Sequence, residues 1–405
     1  MPDEIALRGR QFAVQGETIL AEEMGDDGVA VADRLAVIDN VGQLAARRRG
    51  RVEDVPMDER RPPNLRNAAS SSAGHPLGCG MALHRLSPAA GTVHGIFSCE
   101  LAPVLTIASG DSVVFQTLDA GWGALEQAPG FTVPQAFVPR DLARDVAHCL
   151  TGPVRVEGAK PGMVLEIRIR RLRTGRWGWS AGPTLPAQMD KTLGLSETAG
   201  GPPAVIEVPR GSMASYWTLD PEAALGTNRD GVRLRLHPFL GVMGMPLDVP
   251  GAQSTFPPTA CGGNMDCRAL VEGTVLFLPI AVEGGLFSCG DGHAVQGDGE
   301  IAGPALACPM EHAELEFHLR PDLSLALPRA RTAKGWLTFG FHRDLNEAWT
   351  IAAREMVRLM EELYRLKPKE ALSLAGLVAH LSITQAVNGV RGVHAFLPHD
   401  ALEFT

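Results

Sequence analysis

No stretch of this chain is apolar for long enough to cross a bilayer. Its longest such run, Val275 to Val282, is interrupted by Pro279 and falls far short of the roughly 20 residues that a spanning helix needs. Cysteines at metal-ribbon spacing are missing as well. The seven present (Cys79, Cys99, Cys149, Cys261, Cys267, Cys289 and Cys308) are odd in number, scattered and without a Cys-x-x-Cys pair. That pattern disfavours a disulfide framework and a thiolate zinc site, and it fits free thiols in a reducing cytoplasm. The N-terminus carries Asp3 and Glu4 with no continuous apolar segment and small-residue cleavage site, so a secretory signal is not expected. Positive charge is not in excess either. With 37 Lys and Arg against 46 Asp and Glu the net charge is −9, which argues against a general nucleic-acid binder. Several catalytic devices are also absent: there is no Gly-x-Ser-x-Gly elbow, no Walker loop and no His-Glu-x-x-His helix. Cys289 lacks the surroundings of a nucleophile, and Ser70, Ser71 and Ser72 lack the glycine-rich core of a serine-lysine amidase.

What the chain has in quantity is turn residues. Its 405 residues include 45 Gly and 30 Pro, with 45% hydrophobic and 20% charged side chains, which favours a globular, mainly β architecture of ample core. Residues 1–83 have mixed charge and weak periodicity: Glu22, Glu23, Asp26 and Asp27, then Arg47 to Arg49, then Arg60-Arg61-Pro62-Pro63. They are expected to form a poorly ordered extension ahead of a catalytic domain over 84–405. From His84 onward short β-like runs follow one another between turns: Val104 to Ala108, Ser112 to Leu118, Val164 to Ile169, Ala204 to Val208 and Val275 to Val282. Gly152 to Leu165 echoes Gly263 to Leu276 with glycines at the same offsets, which suggests two similar barrel- or sandwich-like halves. Beyond Asp344 the period changes. Leu345, Trp349, Ala352, Met356, Leu359, Met360 and Leu363 mark an amphipathic helix, and a second is expected from near Lys369 through Leu381, after Pro368.

The segment Gly290-Asp291-Gly292-His293-Ala294-Val295-Gln296-Gly297-Asp298-Gly299-Glu300 concentrates polar side chains among glycines just after an apolar run. Asp291 and His293, two apart, project from one face if extended, and the glycine-rich turn brings Glu300 back toward them. This suits a divalent cation held by oxygen and nitrogen, and equally a surface turn. Three further places merit attention. Asp119 ends a strand-like run, Asn264 and Asp266 follow two glycines, and His94 lies in an apolar stretch. Their plainer readings are a turn-initiating acid, a β-turn and a satisfied core histidine.

Taken in order along the chain, these blocks resemble the acetamidase/formamidase family. The matching residues are Pro103 to Thr106 with Ser109 to Phe115 and Asp119; His237 to Gly244; Gly262 to Asp266; Gly290 to Ala294 with Gly297 to Glu300; and Ile383 to His394. The resemblance implies a β-rich fold of two similar halves with C-terminal helices, forming a homo-oligomer. It implies metal-dependent hydrolysis of the carbon-nitrogen bond of small amides such as formamide or acetamide, with release of ammonia. Zinc is the first candidate for the metal, with manganese, iron or calcium as alternatives. Laid over that match, Asp119, Asp291 and His293 are the expected ligands and Glu300 the acid/base residue. His94, Asn264, Asp266 and Asp298 are the expected pocket or supporting residues. Gly95 stands where the family commonly has an aromatic. With Trp177 and Trp179, this keeps open a hydrolase of larger amides or imides, beside a non-catalytic metal-stabilised binding protein. Neither a nucleic acid nor a membrane is expected as a partner.

Overall fold

Two large sheets and a helical pair position everything that follows. The computed structural model describes residues 81–128, 134–142, 144–181, 193–194 and 214–403. These belong to one of the two units into which the chain divides, Glu53–Thr405. The expected extension, apart from its last residues, and the expected strand Ala204 to Val208 lie outside the described residues. In the first half the strands are β1 (Leu83–Leu86), β2 (Val93–His94), β3 (Leu105–Ile107), β4 (Ser112–Thr117), β5 (Leu150–Val156), β6 (Val164–Thr174), β7 (Trp177–Ala181), β8 (Ala214–Asp220), β9 (Leu225–Asn228) and β10 (Arg233–Arg235). The second half contributes β11 (Phe239–Gly244), β12 (Gly262–Asn264), β13 (Val275–Pro279), β14 (Phe287–Val295), β15 (Leu306–Ala307), β16 (Met310–Arg320), β17 (Arg329–Arg331) and β18 (Gly335–His342). Helices α1 (Leu345–Tyr364) and α2 (Pro368–Val378) follow, and then β19 (His380–Gln385) and β20 (Arg391–Pro398).

One sheet of nine strands runs β1-β4-β16-β6-β13-β17-β18-β20-β19. The other, of eleven, runs β10-β9-β8-β7-β15-β14-β11-β12, with β5 joined to β14 and carrying β2 and β3. The two middle strands of the first sheet show why. All five residues of β13 are buried, a continuous apolar run suited to a strand covered on both faces. It pairs antiparallel with β6 from Pro279↔Val164 to Val275↔Arg168. Inward residues from both sheets, among them Phe115, Ile167, Phe239, Phe287, Leu315 and Phe339, share the main core. Phe287 and Phe317 meet edge to face at 5.1 Å.

Helix α1 opens on Asp344, whose side chain accepts from the backbone N–H of Asn346 at 2.7 Å, and it closes on Arg365 at φ 56°. Its buried face is Ala348, Ala352, Met356, Leu359 and Met360, packed on β20. Leu345 and Trp349, which the periodicity places on the same stripe, instead stand 39% and 42% exposed. Gly340 explains the offset: a Cβ there would press on the Ala348 carbonyl, so the helix touches the sheet through its small residues. The second helix is shorter than expected. Ala379 turns extended (φ −91°, ψ 144°), and Leu381 joins β19, whose edge position gives its alternating side chains a sheet partner in β20. No helix among the described residues is long and apolar enough to cross a membrane.

Candidate metal centre

Strand β14 meets β11 with Phe239 opposite His293, Leu240 opposite Gly292 and Val242 opposite Gly290. Between those pairs Asp291 adopts φ +52°, a left-handed conformation that costs an L-residue energy and persists only where the surroundings enforce it. Asp266 (φ +44°) and Glu300 (φ +48°) share it. Gly241 shows what the strain achieves. A Cβ at this position would lie 2.6 Å from Asp291 Oδ2, 2.7 Å from Asp266 Oδ1 and 3.0 Å from His293 Cε1. Its missing side chain is the space into which three polar groups converge.

Asp266, His293 and Glu300, all buried, bring one ligand-type atom each within 4.8 Å of one another. His293 Nε2 lies 3.1 Å from Asp291 Oδ1, and its Nδ1 lies 2.9 Å from Gln296 Oε1 and 4.0 Å from Asp266 Oδ1. Gln296 is held in that orientation because its amide donates to the carbonyls of Asp266 and Thr384. Asn388 donates to Asp266 Oδ2 at 2.6 Å, and Glu300 Oε1 accepts from the Ala305 N–H at 3.1 Å. Asp266 Oδ1 and Glu300 Oε2, by contrast, are enclosed with no donor from the other described residues, and only a proton shared between the two carboxyls or a cation would satisfy them. Orphaned buried oxygens of this kind are costly unless something satisfies them. Two free carboxylate oxygens beside one imidazole suit a divalent cation, and so does the space above Gly241.

The electrostatics agree. Burial pushes Asp266 up to about 7, with Asp291 adding to the rise and the His293 charge opposing it. Burial, then the neighbouring Asp266 and Asp291, drive Glu300 well above the carboxylate range. For His293 burial works against the charged ring, but Asp291, Asp266 and Gln296 together outweigh it and raise the pKa to about 9. Burial disfavours an ionised Asp291 too, yet His293 and then His148 hold it below its ordinary value. Three buried carboxyls crowd one imidazolium, which pairs with Asp291 while Asp266 and Glu300 are driven to hold their protons.

Of the expected ligands, Asp291 and His293 touch, whereas Asp119 lies apart from the trio. All its hydrogen bonds are internal: Gly121 N–H at 2.9 Å, Gly123 N–H at 2.5 Å and Trp179 Nε1 at 2.8 Å. Burial nevertheless raises its pKa. Trp177 and Trp179 are both buried in the wall that holds it. Glu300 falls inside the cluster, and Asp266 joins as a full member. Asn264 donates to the Phe256 carbonyl at 3.0 Å, with Oδ1 left bare. His94 lies in a different setting. Its Nδ1 is 2.6 Å from the Ile96 carbonyl and its Nε2 3.0 Å from Ser288 Oγ, and burial lowers its pKa to about 4. Asp298 is 42% exposed and faces Arg268 at 3.7 Å, outside the cluster. Gly95 meets the backbone of Asp145 and Val146, where a Cβ would come within 2.7 Å, so this position has no room for an aromatic.

Sequence reasoning passed over Gln296, Asn388, Gly241 and His148. The first three lie within blocks already singled out, and their glycine and amide content was the available signal. His148 stands in no motif.

A two-sheet β protein with a buried carboxylate–imidazole cluster at the junction of β11, β14 and the Gly297–Glu300 turn is thus the class that fold and site define. The comparisons refine it: the chain is homologous to the acetamidase/formamidase family. The profile described as "Acetamidase/Formamidase family" matches residues 248–324. A formamidase of Methylophilus methylotrophus is 26% identical over 52% of this chain and 60% of its own length. An acetamidase of Mycolicibacterium smegmatis is 28% identical over 40% of this chain and 51% of its own. The chain therefore spans between half and three-fifths of these curated relatives. Among solved structures, a recombinant predicted acetamidase/formamidase of Thermoanaerobacter tengcongensis superposes with TM-score 0.64 at 26% identity, covering 78% of this chain and 96% of that one. An acetamidase of Bacillus halodurans gives 0.63 at 26% identity, covering 78% and 97%.

Proposed function

We propose that this protein is a metal-dependent hydrolase of small linear amides, of the formamide or acetamide kind, producing ammonia and a carboxylate. The observation that carries the reading is the buried trio Asp266, His293 and Glu300, whose ligand-type atoms lie within 4.8 Å of one another, with no N–H or O–H donor from the other described residues on Asp266 Oδ1 or Glu300 Oε2. The homology supplies the reaction class. In this reading Asp266 and His293 hold the cation, zinc first among zinc, manganese, iron and calcium, Glu300 stands beside it as the acid/base residue, and Asp291 orients the His293 ring. Asp119 supports that wall from its own donors. A divalent cation bound there would polarise the amide carbonyl and bring the pKa of water from near 16 toward about 7.

The residues do the rest. Asp291 fixes the imidazole through Nε2, so a cation held by His293 would take Nδ1 in place of the Gln296 contact. Glu300, whose surroundings hold its proton, would give that proton to the departing nitrogen and take one from water in return once a cation lowered its pKa, because ammonia leaves far more readily than amide anion. Buried walls exclude bulk water and strengthen each of these interactions. A homo-oligomer acting in the cytoplasm without nucleic acid or membrane completes the proposal.

The test is ammonia release from formamide and acetamide by the purified chain, before and after chelation and metal add-back. Chelator-sensitive release restored by one metal is the expected result, and no release with any metal would sink the reading. His293→Ala should lose both metal and activity. Glu300→Gln should cut turnover by about 100-fold or more. Wild-type turnover in Glu300→Gln would remove it from proton transfer.

A further inference from the structure

The end of strand β19 reaches all three members of the cluster, and Gln385 stands at its centre. This fully buried side chain commits both its polar atoms to the turn that follows it. Its Oε1 accepts the backbone N–H of Val387 and of Asn388, each at 3.0 Å, and its Nε2 donates to the Val390 carbonyl at 2.6 Å. Gly389, at φ +74°, lets the chain reverse between them. A turn closed by one buried amide holds Asn388 in place, and Asn388 reaches Asp266 Oδ2 at 2.6 Å. The backbone around Gln385 adds a clip of its own. Gly299 donates to the Thr384 carbonyl at 3.1 Å and accepts from the Ala386 N–H at 3.0 Å, a parallel bridge to Gln385 that holds the turn carrying Glu300. Gln296, whose Oε1 faces His293 Nδ1, donates to the Thr384 carbonyl as well.

A carboxylate turns easily about its terminal torsion, so a ligand acid must be told which oxygen to present. With Asn388 on Oδ2, Asp266 is left with Oδ1 facing His293 Nδ1 at 4.0 Å. We propose that Gln385 is a positioning residue of the metal centre: it hydrogen-bonds to none of the cluster's side chains, and through Asn388 it holds Asp266 Oδ1 toward the point that His293 also faces. This rests on the metal-site part of the proposed function and is independent of which amide is cleaved. Filling space is a task that a methionine or leucine performs equally well. Three directional bonds to one turn instead fix the shape of that turn, and the turn's one contact with the cluster is Asn388. The clip at Gly299 is made by backbone and survives a change of the Gln385 side chain. What the side chain contributes to metal binding therefore passes through Asn388.

The experiment measures the affinity of the purified full chain for zinc, and in parallel for manganese, in competition with a chromophoric chelator, with the melting temperature recorded alongside. Gln385→Met keeps the volume, removes all three bonds and should weaken metal binding about 10-fold. Gln385→Glu keeps an acceptor for both N–H groups and should stay within a few-fold of wild type. Packing alone predicts the opposite order, because methionine fills the space while a carboxyl is costly to bury. Asn388→Ala should also weaken binding about 10-fold, and combining it with Gln385→Met should cost no further affinity, since one residue acts through the other. Wild-type affinity in Gln385→Met, a Gln385→Glu variant weaker than Gln385→Met, or losses that add in the double variant overturn the proposal. Should Gln385→Met fail to fold, Asn388→Ala and Gln385→Glu decide: Asn388 is only half-buried, and wild-type affinity in its alanine variant, or a 10-fold loss in Gln385→Glu, overturns it equally. A chain that binds metal with the expected ranking but hydrolyses no amide would sink the amidase reading and uphold the positioning role. A wild-type chain that binds neither metal would reject both.

Discussion

Gly152 to Leu165 and Gly263 to Leu276 carry glycines at the same offsets, and the strands they lead into, β6 and β13, pair antiparallel at the middle of the nine-stranded sheet. Within that shared frame their fourth residues differ completely. Arg155 is 38% exposed and pairs with Glu283 at 3.4 Å on the surface. Asp266, at the equivalent offset, is 1% exposed, left-handed, bound to Asn388 and open on one oxygen toward His293 and Glu300. Glycine spacing and strand pairing make the frame. Burial turns one copy into a reactive environment, because an acid screened from water is governed by its few neighbours, whereas an exposed arginine is governed by solvent.

That contrast can be broken most forcefully at Asp266. Asp266→Ala should abolish metal binding and lower activity at least about 1000-fold, as read by metal analysis and ammonia release. Retained metal would mean that the two copies differ less than their burial suggests. Gly241→Ala comes next. The added methyl meets Asp291 and Asp266, so metal loss and about 1–3 kcal/mol of destabilisation are expected from chemical denaturation.

The pH dependence of the chelated protein sharpens the same point. Asp266, raised from 3.8 to about 7, holds in the folded state a proton that the unfolded chain has released. Its stabilising contribution is complete below pH 3.8 and is lost as pH rises through 7. His293, raised from 6.5 to about 9, loses its contribution between those values. The melting temperature of chelated protein should therefore fall as the solution is made alkaline over this window, while metal affinity rises with pH as the ligands shed protons. A melting temperature that climbs instead would contradict the buried cluster. A smaller effect is expected from Asn388→Ala, about 10-fold weaker metal affinity in a chelator competition with the fold intact. The smallest belongs to Arg155→Ala, within about 0.5 kcal/mol of wild type and with full activity.

Much of the fold was legible because period and punctuation are local. The runs Val104 to Ala108, Ser112 to Leu118 and Val275 to Val282 contain β3, β4 and β13, and the helix after Asp344 begins where its cap stands. The end of α2 was not legible. Leu381 fits a helical stripe and a strand edge equally, and only pairing with Ala395 decides it. Likewise the stripe of α1 was read through Leu345 and Trp349, because periodicity cannot sense that Gly340 draws the helix down onto Ala348 and Ala352.

The site divides in the same way. Residue types and glycine spacing alone marked Asp291, His293 and Glu300 as metal-competent, since the chemistry of a side chain and the flexibility of a glycine turn belong to the sequence. Which carboxylates stand together was decided by the tertiary structure. Asp119 is held by two donors in its own loop and a third on Trp179, and Asp298 stands at the surface. Asp266 is turned inward by a left-handed backbone and an asparagine 122 residues away. Hydrogen-bond partners and burial are set by residues distant in the chain, and no local pattern encodes them.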